Sequence, residues 1–369
     1  MYLFRTLHLY IGKLYLKWFA FIALSLSSIL LLLESVELLR RTINKPQITL
    51  GAVFEMALLK SPLHLGQFLP FLTLAAVLMT FWRLNHTKEM VVIKTSGVSI
   101  WKIVQGLFLY GLATGILYTL VIQPMGSSML QRFHQLETVH IKNKTPTTGT
   151  FFITESGLWM REVASDSTRI LHFKSMDLSS HTLNSLEVFV FDNTLSLSEV
   201  YNAQLGVLEK QNLKLLKARV STFKPTFSTK DLDELTLSTT LDEKNFLDVS
   251  LNPDALSLWQ LETYIKILKE SGLSYVKYSY TWHKHIAKIW LLGAMILLGA
   301  SFALQRERTH QGIRFVLFGL LVSFIFHFSS DMIAAFALSG RLSPLIAAWS
   351  PVVLISLISL ITLLYREEG

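Results

Sequence analysis

The chain has no cysteine among its 369 residues, and Asp, Glu, Lys and Arg together make up only 16% of it. The first absence excludes a disulfide framework and any thiolate-bound metal. It fits every compartment and identifies none. The second absence argues against a soluble protein, because soluble domains carry about a quarter charged residues. Catalytic signatures are missing as well. Gly12-Lys13 lacks the upstream glycine of a phosphate loop, and the sequence contains neither G-x-G-x-x-G nor H-E-x-x-H. His283 and His285 form an H-x-H beside Trp282, but no third histidine or acid lies nearby to complete a metal site. No Ser, His and acid set can be assembled from spacing. The chain therefore reads as one with no catalytic residues, no metal and no cofactor of its own.

What is present is apolar length. Hydrophobic residues make up 51% of the chain. A helix needs roughly 20 apolar residues to cross a bilayer, and six runs qualify: Tyr15 to Leu33, Leu63 to Trp82 with a pre-helix from Ala52, Ile100 to Ile122, Ile286 to Leu304, Ile313 to Ile333, and Ser343 to Leu364. The first is long and lacks a small-residue cleavage site, so it reads as a span rather than a cleavable signal. Trp18, Trp82, Trp101, Trp290 and Trp349 lie near predicted ends, where amphipathic rings settle. The net charge of +8 is what basic flanks of membrane helices produce, and no nucleic-acid partner is expected.

Basic residues also set orientation. Arg5, Lys13, Lys17, Arg83, Lys88, Lys94, Lys102, Arg306, Arg308, Arg314 and Arg366 collect on one side. They outnumber Arg40, Arg41, Lys45, Lys60 and Arg341 on the other. The positive-inside rule then puts both termini and the second-to-third loop in the cytoplasm. The long insert between the third and fourth spans lies outside.

That insert, about Gln123 to Tyr280, reads as strands. Short runs rich in β-formers occur at 151–153, 158–160, 170–176, 186–191, 195–200, 213–223 and 235–241, punctuated by Gly149, Gly157, Asn184, Asn193 and Gly206. Leu186 to Phe191 is apolar nearly throughout, as a core strand would be. The pattern suggests a sandwich or jelly roll with strand order unresolved. Pro253-Asp-Ala is expected to open a helix with its apolar face on Leu256, Leu258, Leu261, Tyr264, Ile265 and Leu268, stopping at Gly272. The fold class is thus an α-helical membrane protein with six transmembrane helices and an inserted all-β, jellyroll-like domain. Domains fall at 1–122, 123–280 and 281–369.

Several residues stand out chemically. Arg83 to Gly97 is short and charged, and Glu89 through Thr95 has the pattern of a surface helix that docks into a partner's groove. A solvated connector explains it equally. Glu34, Glu37, Arg40 and Arg41 sit near the outer end of the first helix, and Glu37 is spaced to pair with either arginine. Arginine presents a planar fork to phosphate, although an ion-pair cluster that only anchors the helix is the plain alternative. His327 and Asp331 share a face of the fifth span, with Asp331 a polar end cap or a pathway residue. Gly111-Leu-Ala-Thr-Gly115 permits close helix approach. The apolar face from Phe19 to Leu33 suits lipid.

These residues resemble a known family, the LptF/LptG permeases of the lipopolysaccharide export ABC transporter. The likeness runs through Tyr10-Ile-Gly-Lys13, Lys88-Glu-Met-Val-Val-Ile-Lys-Thr-Ser-Gly97, Gln123-Pro-Met-Gly126 and Asn252-Pro-Asp-Ala-Leu-Ser257. The last of these is similar to the LptG branch. The resemblance implies a periplasmic β-jellyroll and pairing with an LptF-type permease in the bacterial inner membrane. It implies a cytoplasmic ATPase dimer that carries the ATP and Mg²⁺, and a periplasmic jellyroll bridge that receives lipopolysaccharide. It places Arg83, Lys88, Glu89 and Gly97 in the ATPase coupling segment. It places Arg40, Arg41 and Arg132 at a lipid-binding mouth; Glu34, Glu37 and Asp331 join them as lipid and gate candidates on their own positions near the helix ends. Glu34 departs from family members that are basic there; a divalent cation or an arginine on the partner permease would have to offset it. Ion-coupled secondary transport and a ligand-binding membrane scaffold are the competing functions. The first needs midplane ion sites and repeats; the second leaves the coupling-like loop unexplained.

Overall fold

A computed structural model of the chain describes residues 2–43, 48–138, 150–154, 157–163, 167–177, 182–192, 196–209, 212–223, 227–239, 252–270, 273–303 and 312–367. Gly149, Asn193, Gly272, Lys45, Arg306 and Arg308 lie outside them. The chain divides into two compact units. A helical unit holds Met1–Phe133, Asp254–Leu258 and Ser279–Gly369, and a strand unit holds His134–Pro253 and Trp259–Tyr278.

In the helical unit, α1 (Tyr2–Thr42) and α2 (Leu50–His86) are joined to the short α3 (Glu89–Thr95). There follow α4 (Ile100–Leu117), a π-turn (Tyr118–Ile122) and α5 (Gln123–Leu136), which runs on towards the strands. After the strands come α6 (Leu258–Glu270), α7 (Val276–Ala303), α8 (Gly312–Leu338) and α9 (Pro344–Glu367). Five stretches are long and apolar enough to cross a membrane: Thr6–Thr42, Leu50–His86, Ile100–Leu136, Val276–Ala303 and Pro344–Tyr365. The sixth expected span is α8, 27 residues long with a shorter apolar stretch, Phe324–Leu338. The helices outrun their predicted apolar cores. Capping sets some of these ends: Thr49 accepts the Ala52 N–H at the start of α2, and Ser99 accepts the Trp101 N–H at the start of α4.

The core of this unit packs Tyr15 and Ile11 of α1 against Leu74, Val77 and Phe81 of α2, Ile103 and Leu107 of α4, and Met295 and Ile296 of α7. The glycines read as packing signals act as such. A Cβ at Gly115 would lie 2.9 Å from the Ile289 Cα, and one at Gly111 3.1 Å from the Leu292 carbonyl oxygen. Only a missing side chain lets α4 and α7 approach this closely. Much of α1 faces outward, with Leu24 72% and Leu32 65% exposed.

The strand unit is one antiparallel sheet of seven strands paired in sequence order: β1 (Thr150–Thr154), β2 (Gly157–Val163), β3 (Thr168–Asp177), β4 (Thr182–Phe191), β5 (Leu197–Glu209), β6 (Asn212–Thr222) and β7 (Ser228–Ser238). The strand order left open by the sequence is therefore a meander. One face is apolar, built on Leu158, Phe173, Leu186, Val188, Leu213 and Leu215.

A crease crosses five of these strands. The ladder skips Lys174 opposite Ser185, Ser185 opposite Gln204, Gln204 opposite Lys217, and Lys217 opposite Asp233. Ser185 and Lys217 both have φ of 52°, the left-handed region. Along the crease the buried parity switches. On β4 it passes from Leu183 to Leu186 and Val188, on β5 from Ala203 to Gly206 and Leu208, and on β6 from Leu213 and Leu215 to Ala218. Because all five strands step at the same level, the register on either side is kept.

The connection after the strands differs from expectation. Pro253–Ala255 is a single 3-10 turn, and the helix starts only at Leu258. Leu261, Tyr264 and Leu268 are buried as predicted, with Ile267 beside them rather than Ile265. Asn184 and Gly206, read as breaks between strands, lie inside β4 and β5. Gly206 is needed because the Leu186 side chain would sit 2.8 Å from a Cβ there.

Candidate functional site

Two clusters in the helical unit gather the residues singled out in the sequence. At one end, α2 stops at His86 and a single left-handed residue, Lys88 with φ of 59°, turns the chain into α3. The helix occupies the expected positions, Glu89–Thr95, and Gly97 leaves it with φ of 77°. Met90 and Ile93 face the core, whereas Val91 and Val92 are 44% and 66% exposed. The result is a one-sided anchor: two apolar side chains hold the helix and two others stand outside it. Glu89 is half-buried, and its carboxylate accepts a 2.8 Å hydrogen bond from the Tyr10 hydroxyl of α1. Arg83 and Lys88 flank it and are exposed.

The second cluster spans the opposite ends of α1 and α2. Glu37 accepts from Arg40 at 3.1 Å and from Arg41 at 2.9 Å, one helical turn on. Glu34, one turn earlier, reaches across to α2. It accepts from Lys60 at 2.7 Å and pairs with His64 at 3.0 Å, and its side chain is only 12% exposed. The counter-charge that Glu34 requires thus lies on the same chain, on the neighbouring helix. Arg132 of α5 pairs with Glu55 of α2 at 2.8 Å. Each of these basic groups already contacts a carboxylate, Arg40 and Arg41 sharing one. Asp331, on α8, pairs with His327 at 3.6 Å and is well exposed; it does not join the Glu34–Glu37 group through any contact among the described residues.

Sequence reasoning missed Lys60 and His64 as the partners of Glu34. The signal was faint: a Lys and a His four apart put both on one face of α2, but nothing local says which helix that face meets. The H-x-H pair separates. His285 is buried, and His283 packs edge-on against Trp282.

Comparison with known proteins identifies the family of the chain. Residues 9–366 match the family model described as lipopolysaccharide export system permease LptF/LptG. The chain is 24% identical over 376 residues to the lipopolysaccharide export system permease protein LptG of Escherichia coli K12, covering 99% of each chain. It is 23% identical over 333 residues to the LptG of Haemophilus influenzae, covering 89% of this chain and 90% of that one. With a family match spanning nearly the whole chain and several helices of membrane-crossing length, this multi-pass membrane protein belongs to the LptF/LptG permease family.

Proposed function

We propose that this chain is the LptG-type permease subunit of an ATP-driven exporter that lifts lipopolysaccharide out of the bacterial inner membrane. In this reading it pairs with an LptF-type permease, and a separate cytoplasmic ATPase dimer binds the ATP and Mg²⁺. The observation that carries the reading is α3: a short helix anchored by Met90 and Ile93 that offers Val91, Val92 and the Glu89 carboxylate outward. Such a ridge suits a groove on a soluble partner. The N-terminus, C-terminus and α3 lie in the cytoplasm, and the strand unit lies in the periplasm.

Closure of the ATPase dimer pushes on α3. Glu89 is tied to Tyr10, so the push reaches α1 directly as well as α2. The exposed face of α1 meets lipid and the partner permease, and the α1 and α8 faces form the lateral gates. Arg40, Arg41 and Arg132 meet lipid phosphates by exchanging their present carboxylate partners, Glu37 and Glu55. The displaced lipid passes to the strand unit and then, by strand addition at a sheet edge, to a periplasmic jellyroll bridge.

The test is affinity capture from native membranes in mild detergent, followed by an ATPase assay. A second permease and a soluble ATPase are expected with the wild type, and the ATPase is lost with Glu89→Lys. A chain recovered alone and without ATPase activity would overturn the reading.

A further inference from the structure

In the helical unit, a partly open cavity of about 130 Å³ is bordered by α2, the π-turn and α5, α7, α8 and α9, with Asp254 also at its wall. Two of the surrounding helices carry proline where they border it, α2 at Pro62 and Pro70 and α9 at Pro351, and the α4–α5 run is interrupted close by at Pro124. Pro70 of α2 has no N–H to give the Gly66 carbonyl, Pro124 has none for Leu120, and Pro351 of α9 has none for Ala347. The first defect has a protein remedy: the Lys288 ammonium of α7 donates to the Gly66 carbonyl at 3.1 Å, with its charge 4.9 Å from the Tyr118 ring centre. The second is absorbed by the π-turn.

Three further lining side chains carry polar atoms that protein does not meet. His285 is 7% exposed, and neither ring nitrogen has a hydrogen-bond partner. The Ser330 hydroxyl and the Gln123 amide oxygen are also buried without one, and all three side chains line the cavity. Leaving buried polar groups unpaired is costly, so their convergence on one space points to a guest. The chemistry of the set identifies its class. An amide oxygen only accepts, an ammonium only donates, and hydroxyl and imidazole do both. The lining also carries two carboxylates, Asp254 and Asp331, and a second ammonium, Lys284, so both signs of charge face the space together and neither a bare anion nor a bare cation is favoured. A guest that donates and accepts equally satisfies all of them. Water does so, and the cavity is roomy enough to hold more than one molecule.

We infer that this cavity is a water site that supplies the hydrogen bonds the protein leaves open there, at the Ala347 carbonyl freed by Pro351 in α9 and at His285, Ser330 and Gln123 as its fixed partners. The site is independent of the lipid-export reading and rests only on the chain crossing a membrane, where such groups find no other partner.

The test compares thermal unfolding of the full chain in nanodiscs free of glycolipid. If water occupies the cavity, His285→Leu and Ser330→Ala each strip a partner from it, and each lowers Tm by about 2–4 °C. His285→Gln, which keeps a donor and an acceptor, returns most of the loss. If the cavity is dry, the two apolar substitutions relieve unpaired groups, and an unchanged or raised Tm overturns the inference. Equal losses in His285→Leu and His285→Gln assign His285 to packing and overturn it too. A loss that appears only after glycolipid is added assigns the guest to sugar hydroxyls instead of water.

Discussion

The two ends of the α1–α2 pair treat their carboxylates in opposite ways. At the rim away from α3, Glu34, Glu37 and Glu55 all face basic side chains: Lys60 and His64, Arg40 and Arg41, and Arg132. At the α3 end, Glu89 faces a neutral phenol. A hydroxyl orients a carboxylate without cancelling its charge, whereas an ammonium or guanidinium does both. The basic groups of the rim are therefore already engaged, with Arg40 and Arg41 sharing the single Glu37 carboxylate, and an anionic ligand must compete for them. The α3 end keeps a positioned charge available to whatever docks there. The same residue type is spent on cohesion at one end and on presentation at the other.

Charge reversal at the presenting end has the largest expected effect. Glu89→Lys should cut ATPase capture by about tenfold or more, measured by quantifying co-purified ATPase. Tyr10→Phe removes the orienting hydrogen bond but leaves the charge, and should reduce capture much less. Equal losses in the two variants would mean that Glu89 works through α1 packing rather than by facing a partner.

At the rim, burial ranks the carboxylates. Glu34→Ala strands Lys60 and His64, both partly buried, and should destabilise the α1–α2 pair by about 1–3 kcal/mol, read as a lower thermal midpoint in detergent. Glu37→Ala breaks an exposed pair and should cost about 0.2–1 kcal/mol at most, fading further in high salt. If Glu37→Ala proved the more damaging, the distinction between a buried staple and a surface pair would fail.

The smallest effect belongs to an exposed pair in the strand unit, Arg219 with Asp231 at 2.8 Å. Arg219 holds the Asp231 carboxyl below the usual carboxylate range, first by hydrogen bonding and then by its charge. Its folded pKa is lowered, so its contribution is present above the ordinary aspartate pKa near 3.9 and is lost as pH falls through the lowered value. Asp231→Asn should show a slight deficit in denaturant midpoint at neutral pH and none in strong acid.

The helices were legible because their signals are local. Leu63 to Trp82 and Ile100 to Ile122 announce membrane length by composition alone, and Glu89–Thr95 was readable between Lys88 and Gly97. The strands were read short for a definite reason. Alternation along β4 restarts at Ser185, so the pattern visible in the sequence begins at Leu186 although the strand begins at Thr182. On β5 the restart near Gln204 hid the second half of a strand that reaches Glu209. On β7 only the part after Asp233 looked apolar, because Ser228 to Asp233 is an exposed edge. The rim's pairing of Glu34 with Lys60 joins residues 26 positions apart, and Lys288 completes a carbonyl freed by a proline on another helix. Both need tertiary geometry that spacing does not encode.

The crease in the sheet also constrains how this domain can change over generations. Away from it, a residue gained or lost in a turn leaves the strands in step. At the crease, deleting Ser185 alone would restore simple alternation in β4 and put one half of that strand out of phase with both neighbours. Losing the step cleanly would take matched deletions near Lys174, Ser185, Gln204, Lys217 and Asp233 at once. Single-residue length variation among descendants of this sequence should therefore collect in the turns and leave this line across the sheet untouched.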